Sequence, residues 1–354
     1  MSRKYFCLVC KPDFPHKTRM KPFPPFTCIL LFILLSVASP QTHASENPYA
    51  GYWSLHLPGN GTGWLGVSGE GADIKADMLW IGGSVFPLNN AKIENGQLVV
   101  TRQRDSGQKS NDGKPILVTD TITASIDGDT LQLVMVTPKP DGGVDRAEFS
   151  GHRQPPLPPS PDLSHVKFGA PIQLFNGTNL DGWRLVESDA ANGWRAADGL
   201  LVNDITQTPG QPENHFGNLR TVAEFTDFSL HAEARVSTNG NSGIYLRGID
   251  EVQIFDSFGK PTDSHNMGAI YSRIKPAVSA EKPPGEWQTL DIIFVDRHAT
   301  VVLNGTKIID NQPVLGPTGG ALWPEVDRPG PIYLQGDHTG IEYRNLVLRP
   351  VLEN

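Results

Sequence analysis

Residues 239–256 read NGNSGIYLRGIDEVQIFD and hold the densest alternation of apolar and polar side chains in the chain. Successive side chains of a β-strand point to opposite faces, so this pattern predicts two short strands joined by a tight turn. Their apolar side chains would pack into a core between two sheets. Their polar side chains would gather on the open face, and these are Tyr245, Arg247, Glu251 and Gln253.

The open face of these two strands is a candidate functional surface. Arginine, glutamate, glutamine and tyrosine together are typical of a surface that binds sugar or moves protons. A strand face that is merely solvated is the alternative, because antiparallel sheets commonly expose one polar face. Residues 228–236 alternate in the same way, and we expect this strand to lie near the central pair and to add Glu233 to the polar face.

The composition of the 354-residue chain favours an all-β protein with two domains. Glycine (36) and proline (30) are frequent and charged residues make up only 19%, which suits many short strands joined by turns. A net charge of -8 argues against a nucleic-acid partner, because there is no excess of lysine and arginine to replace phosphate counterions.

Residues 1–44 are predicted to be a leader. Basic residues precede an apolar run at 28–38, which is too short to span a bilayer and has the length of a signal-peptide core. We therefore expect an exported protein, periplasmic or secreted, with no stable membrane span after removal of the leader. Met1 and Met20 are both candidate start residues, because the export signal is complete without the first nineteen residues.

The three cysteines, Cys7, Cys10 and Cys28, all lie before residue 30. A single Cys-x-x-Cys pair upstream of an export signal is a weak indication of zinc or redox chemistry. The mature protein is expected to contain no cysteine and to need no disulfide.

Residues 45–153 are predicted to form a small all-β domain. Its strand-like runs alternate with turn signals at short, even spacing, which is typical of a meander closed or nearly closed into a small barrel. Trp53, Trp64 and Trp80 either stack on sugar rings or fill the core, and we expect Trp53 and Trp80 in the core. No nucleophile, base and orienting group occur together here, so a binding or scaffolding role is expected.

Residues 154–167 are predicted to be a linker, because the proline-rich run QPPLPPSP at 154–161 holds the chain extended. Residues 168–354 then show about a dozen strand-like runs without a long amphipathic helix. This pattern predicts two antiparallel sheets packed face to face.

Six sequence blocks in this second part carry a resemblance to a known family. In order they are LFNG (174–177) with LDGW (180–183), NSGIYLR (241–247), EVQI (251–254) to Asp256, GAIY (268–271), PPGEW (283–287) and GPI (330–332) to Gln335. Together they resemble the 3-keto-disaccharide hydrolase domain family over roughly residues 168–350.

The resemblance implies a C-terminal concanavalin-like jelly-roll sandwich whose concave sheet holds a carbohydrate. It also implies action on glycosides already oxidised to a ketone at C3 of the sugar, with an oligosaccharide or glycoside as partner. The small barrel-like domain resembles one that is often fused before this family. The chain departs from the family pattern at 335–338, where an extra residue separates Gln335 from the Asp337–His338 pair.

The chemistry of a 3-keto sugar assigns candidate roles to these residues. The ketone acidifies the proton at C2, so a base can remove it while the leaving group departs from C1, and hydration completes net hydrolysis. Glu251 or His338 would be the base. Arg247 with Gln253 or Gln335 would stabilise the enolate.

The remaining candidate site residues are expected to contact the substrate. Tyr271 would be an acid or a sugar platform, and Tyr245 and Glu233 would line the polar face. Two rival functions remain open: ordinary glycoside hydrolysis by the carboxylates Glu233 and Glu251, and a non-catalytic carbohydrate-binding module. The pairing of Arg247 with Glu251 favours an enzyme, because a lectin needs no base beside a cation.

No cofactor is certain from the sequence. A divalent metal such as Ca²⁺ would find oxygen and nitrogen ligands in Asp256, His265, Asp337 and His338. Their spacing matches no compact metal motif, and polar loop residues are the commoner explanation.

Overall fold

The computed structural model describes residues 47–110, 112–139, 142–210 and 212–352. The predicted leader, both candidate start methionines and all three cysteines lie outside the described residues. No helix in these described ranges is long and apolar enough to cross a membrane. Export stays a prediction.

Residues 51–153 form one antiparallel sheet of nine strands. The strands are β1 (Gly51–Leu57), β2 (Gly61–Ser68), β3 (Lys75–Trp80), β4 (Phe86–Pro87), β5 (Asn89–Glu94), β6 (Gln97–Lys109), β7 (Pro115–Asp127), β8 (Thr130–Pro138) and β9 (Val144–Arg153). Short 3-10 turns follow β1 (Pro58–Asn60) and β2 (Gly71–Asp73). The spatial order is β4-β3-β2-β1-β9-β8-β7-β6-β5, so the first and last strands of the meander pair with each other.

This nine-stranded sheet curls around one apolar core. Alternate strand residues supply the core, among them Trp53, Leu55, Leu65, Met78, Leu98, Ile122 and Leu133. Within the described residues no ladder joins the edge strands β4 and β5, so the barrel-like sheet is not closed by hydrogen bonds.

The three tryptophans of the nine-stranded sheet have different environments. Trp53 is fully buried in the core, as the sequence predicts. Trp80 is only half-buried and meets Phe149 edge to face. Trp64 is buried against the second half of the chain, where its Nε1 donates to the carbonyl oxygen of Leu315 at 3.1 Å. It is therefore not an exposed sugar platform.

Residues 172–350 form two further sheets. The strands are β10 (Ile172–Gln173), β11 (Trp183–Leu185), β12 (Trp194–Ala197), β13 (Leu200–Asn203), β14 (Leu219–Thr221), β15 (Phe228–Val236), β16 (Asn241–Leu246), β17 (Asp250–Phe255), β18 (Gln288–Val295), β19 (His298–Leu303), β20 (Thr306–Pro313), β21 (Tyr333–Leu334) and β22 (Ile341–Pro350). The eight-stranded sheet has the order β12-β13-β22-β15-β18-β19-β20, with β10 beside β22. The five-stranded sheet has the order β11-β14-β21-β16-β17.

The two sheets enclose one apolar core, to which both contribute alternate residues. From the eight-stranded sheet come Phe228, Leu230, Leu290 and Phe294, and from the five-stranded sheet Ile244, Val252, Ile254 and Leu334. This arrangement confirms the predicted fold class, an all-β protein with a jelly-roll sandwich after a small barrel-like sheet.

The proline-rich segment and the nine-stranded sheet both contact the sandwich. Arg297 donates to the carbonyl oxygen of Pro155 at 3.0 Å, and Asn311 donates to Ser160 Oγ at 2.8 Å. Ser54 Oγ donates to the carbonyl oxygen of Pro324 at 2.6 Å. These contacts hold the two halves together, while the division into domains at 154–167 stays a prediction.

Candidate active site

A cavity of about 350 Å³ lies on the face of the five-stranded sheet that is turned away from the core. Six of the eight sequence-predicted site residues line it: Tyr245, Glu251, Gln253, Tyr271, Gln335 and His338. The remaining lining residues are Gly82, Gly83, Glu187, Asn218, Asn241, Gly319, Gly320, Tyr333 and Asp337.

The register of β16 and β17 places the functional side chains in this cavity. Tyr245 lies opposite Glu251, and Gly243 lies opposite Gln253. A Cβ atom on Gly243 would come within 2.1 Å of Glu251 Oε1, so only glycine leaves room for the glutamate side chain. The predicted pair of short strands is confirmed, and its alternation holds for Tyr245, Glu251 and Gln253.

Glu251 is a buried carboxyl group without a cationic partner in the described part of the chain. Its pKa is raised to about 8, mainly by burial; the hydrogen bond with Tyr245 acts against this shift, and the charge of Asp337 adds to it. A carboxyl group with this pKa carries a proton near neutral pH.

The contacts of the Tyr245 hydroxyl agree with a protonated Glu251. The hydroxyl oxygen lies 2.7 Å from the carbonyl oxygen of Gly319 and 3.0 Å from Oε2 of Glu251. A carbonyl oxygen only accepts and a hydroxyl has one proton, so both contacts are hydrogen bonds together only when Glu251 donates one of them. Burial raises the pKa of Tyr245 well above its ordinary value, so the hydroxyl stays neutral.

Asp337 and His338 form a carboxylate–imidazole pair at the same cavity. His338 Nδ1 lies 2.7 Å from Asp337 Oδ1, and this hydrogen bond raises the pKa of His338 above its ordinary value. Burial acts to raise the pKa of Asp337, but the hydrogen bond and charge of His338 outweigh it and lower the pKa. With Nδ1 engaged, Nε2 is the nitrogen that can exchange a proton with a ligand.

Amide side chains supply further hydrogen-bonding groups to the cavity. Gln335 is buried, and its Oε1 has no partner among the described residues. We orient the Gln253 amide with its nitrogen toward Glu251, because it then donates to Oε1 at 3.1 Å and to the carbonyl oxygen of Ser242 at 3.0 Å. Asn218 Oδ1 accepts a hydrogen bond from the Gly336 N–H at 2.7 Å and so holds the backbone that directly precedes Asp337.

Arg247 does not lie in this cavity, so the predicted pairing of Arg247 with Glu251 is wrong. It follows the last residue of β16, and its φ of 53° breaks the strand alternation. The side chain turns to the core side, where its guanidinium lies 4.7 Å from the ring of Phe294 and donates to the carbonyl oxygen of Val326 at 2.8 Å. Its nearest carboxylate is Asp250, at 3.9 Å.

Glu233 is also absent from the cavity, so the predicted carboxylate pair of Glu233 with Glu251 is not formed. Glu233 belongs to β15 of the eight-stranded sheet, on the face away from the core. It pairs there with Arg344 at 2.6 Å and accepts from Asn345 at 2.6 Å.

The predicted metal ligands are distributed over separate sites. His265 bonds to Asp263 and Ser84, and Asp256 accepts from the backbone of Asn239 at 2.9 Å. Across the residues that the structure describes, no three His, Cys, Asp or Glu side chains are grouped as a metal site requires.

Several cavity residues were not predicted from the sequence. Tyr333 stacks on Tyr245 with ring centroids 4.2 Å apart, and its position between the core residues Ile332 and Leu334 is a period-two signal that could have identified it. Asn241 lies on β16 at the same period-two positions as Tyr245, so alternation could have identified it as well. Glu187 and Asn218 carry no comparable local signal.

A larger cavity of about 600 Å³ lies elsewhere on the sandwich. Its ionisable side chains, Asp204, Arg235 and Glu342, are exposed or half-exposed, and two of them pair with each other. The smaller cavity, with its buried carboxyl group, is therefore the candidate active site.

Comparison with known proteins points to the same half of the chain. Residues 170–349 match the family model described as the 3-keto-alpha-glucoside-1,2-lyase-like domain. A curated 3-keto-disaccharide hydrolase from Bacteroides thetaiotaomicron is 24% identical over an alignment covering 34% of this chain and 51% of the relative. The chain thus spans about half the length of that relative.

Two crystal structures from Parabacteroides distasonis, each provisionally named a glycosyl hydrolase, are also similar. One is 32% identical with a TM-score of 0.42 and covers 55% of this chain and 93% of its own. The other is 19% identical with a TM-score of 0.40 and covers 53% of this chain and 100% of its own. The fold assignment rests on the strand order and core described above, not on these overlaps.

Proposed function

Because the chain belongs to the 3-keto-alpha-glucoside-1,2-lyase-like family, we propose that it cleaves the glycosidic bond of glycosides that carry a ketone at C3 of the sugar. One observation carries this proposal: a single cavity holds a buried carboxyl group with a raised pKa, Glu251, together with the Asp337–His338 pair. A carbohydrate-binding module needs hydrogen bonds and stacking surfaces but no such acid and base.

The proposed reaction is an elimination followed by hydration. The C2–H bond and the C1–O bond break, a C1=C2 double bond forms, and the proton from C2 leaves with the departing alcohol. Water then adds its oxygen to C1 and a proton to C2, which gives the free 3-keto sugar. The net result is hydrolysis.

His338 is the proposed base. Asp337 holds its Nδ1, so Nε2 takes the proton from C2 and returns it to the departing oxygen. The raised pKa of His338 makes it a stronger base than a free imidazole.

Glu251 is the proposed donor to the ketone oxygen. In its neutral form it can hydrogen-bond to the negative charge that develops on this oxygen as C2 loses its proton. Arg247 was expected to stabilise this oxygen, but it lies on the other face of the sheet and is not available for this role. The Gln335 amide is a second donor of the kind that an enolate needs.

A second cavity, of about 510 Å³, is the proposed site for the leaving group. It shares Asp337 and His338 with the first cavity, so a ligand that fills both must pass beside this pair. Its other lining residues come from 205–216. The scissile bond would then lie next to His338.

The discriminating experiment compares a 3-keto-disaccharide with the unoxidised parent disaccharide in D₂O. We expect release of both sugars from the oxidised substrate alone, with deuterium at C2 of the 3-keto product, because hydration of the enone takes its proton from solvent. Cleavage of both substrates without deuterium at C2 would indicate ordinary glycoside hydrolysis. Binding without any release of sugar would indicate a binding module.

A further inference from the structure

The loop of residues 81–85 connects β3 and β4 of the nine-stranded sheet and reaches the candidate active site. Its residues Gly82 and Gly83 line the 350 Å³ cavity. All other lining residues come from the sandwich half of the chain, between residues 187 and 338. The nine-stranded sheet therefore contributes directly to the cavity.

Backbone contacts fix this loop against the sandwich. The Gly320 N–H donates to the carbonyl oxygen of Ile81 at 3.0 Å, and the Val85 N–H donates to Ser272 Oγ at 2.9 Å. A Cβ atom on Gly319 would lie 2.2 Å from the carbonyl oxygen of Gly83. The two backbones therefore touch, and neither can shift toward the other.

A side-chain contact extends from the same loop to a cavity residue. Ser84 Oγ lies 2.7 Å from Nε2 of His265. The His265 ring meets Tyr271 edge to face, with centroids 4.9 Å apart, and Tyr271 lines the cavity. The loop thus forms one part of the wall and supports another.

The two glycines leave free space at this wall. A Cβ atom built on Gly82 or on Gly83 meets no protein atom within 4 Å. Gly83 has a φ of 76°, which disfavours other residues, whereas Gly82 does not have a left-handed backbone. Residue 82 can therefore accept a side chain without backbone strain.

Given the function proposed above, we infer that the loop of residues 81–85 is a specificity-determining wall of the substrate cavity. The space in front of Gly82 and Gly83 accommodates part of the 3-keto sugar or of the group attached to it. The nine-stranded sheet is then part of the substrate site and not only a scaffold.

A size series at Gly82 tests this inference. Gly82→Ala should change kcat/KM for a 3-keto-disaccharide by less than about threefold, and Gly82→Leu should lower it by roughly tenfold or more, because the larger side chain takes space needed by the ligand. Binding of the product, a 3-keto-glucose, measured by calorimetry should weaken in parallel. Thr119→Leu, at an exposed position of β7 outside the cavity, is the matched control and should behave as wild type.

The two proposals can fail separately. If Gly82→Leu matches wild type and Thr119→Leu in both kcat/KM and Kd, the loop is not a wall of the site. If wild type does not turn over the 3-keto-disaccharide, the proposed function fails, and calorimetry decides the inference about the loop. Weaker sugar binding by Gly82→Leu than by Thr119→Leu would then support it, whereas equal binding, or no binding by wild type, would overturn it.

Discussion

Asp250 and Glu251 are consecutive buried carboxyl groups of β17 that face opposite sides of the five-stranded sheet. Burial raises the pKa of both, to about 6 for Asp250 and to about 8 for Glu251. The charges of Arg247, Arg273 and Arg297 oppose the shift at Asp250, while no cation among the residues described by the structure does so at Glu251. Asp250 therefore belongs to a structural cluster of charged residues on the core side of the sheet, whereas Glu251 is a group that carries a proton on the cavity side.

Substitutions at Glu251 should mainly lower catalytic activity, whereas substitutions at Asp250 should mainly change stability. Glu251→Ala should lower kcat/KM for a 3-keto-disaccharide by about 10²–10³, because it removes the donor to the developing enolate oxygen. Glu251→Gln keeps a donor, so we expect a loss of only about tenfold, together with disappearance of the alkaline limb near pH 8. Steady-state kinetics across pH measure both effects.

Asp250→Asn is the matched control for this pair and should change stability while leaving kcat/KM within about threefold. If Glu251→Gln is as inactive as Glu251→Ala, the carboxylate itself is required. Glu251 would then be the base, and the roles assigned to Glu251 and His338 would be exchanged.

Arg247→Met tests the assignment of the core-side cluster. Removal of a buried cation leaves Asp250 with less compensation, so the free energy of unfolding should fall by about 3 kcal/mol, as measured by urea denaturation. Activity of the folded variant should stay within about threefold of wild type, because Arg247 contacts Phe294 and Val326 and not the cavity. A hundredfold loss of kcat/KM without loss of stability would instead place Arg247 in catalysis.

Local periodicity explains which parts of the site could be predicted. Side chains of a strand alternate strictly, so Tyr245, Glu251 and Gln253 were assigned to one face from the sequence alone. The same rule failed at Arg247, because β16 ends at Leu246 and a left-handed residue follows. Gly248 signals a turn, but the local sequence does not show that Arg247 already belongs to the turn and not to the strand.

Long-range pairing explains what could not be predicted. Alternation correctly separated Glu233 from the core residues of β15, but it does not say which sheet the strand joins. The contribution of Gly82 and Gly83 depends on contacts with residues more than two hundred positions away, such as Gly320. The all-β class could be predicted from the composition and from the period-two alternation of side chains. Prediction of the complete site would have required knowledge of which strands pair with each other.

Asp337→Asn should weaken catalysis by less than Glu251→Ala. Asp337 acts through His338, so we expect kcat to fall by about thirtyfold with little change in KM. Loss of the carboxylate removes the main cause of the raised His338 pKa, so the acidic limb of the kcat/KM profile should move to lower pH. Asp291→Asn, which disrupts a similar pair with His231 on the other sheet, is the matched control and should leave the profile unchanged. An unmoved acidic limb in Asp337→Asn would rule out His338 as its source.

The pH dependence of stability separates the two carboxyl groups directly. Each has a folded-state pKa above its ordinary value, so the folded protein keeps a proton that the unfolded chain has lost, and stability falls as pH rises. For Asp250 the fall in stability lies between pH 3.8 and about 6, and for Glu251 between pH 4.5 and about 8, with a slope of about 1.4 kcal/mol per pH unit for each group. Urea unfolding at several pH values should show that Glu251→Gln removes the decline between pH 6 and 8, whereas Asp250→Asn removes only part of the decline below pH 6. If both variants flatten the same interval, the two faces of the sheet do not differ in charge compensation, and a neutral Glu251 in the cavity is no longer supported.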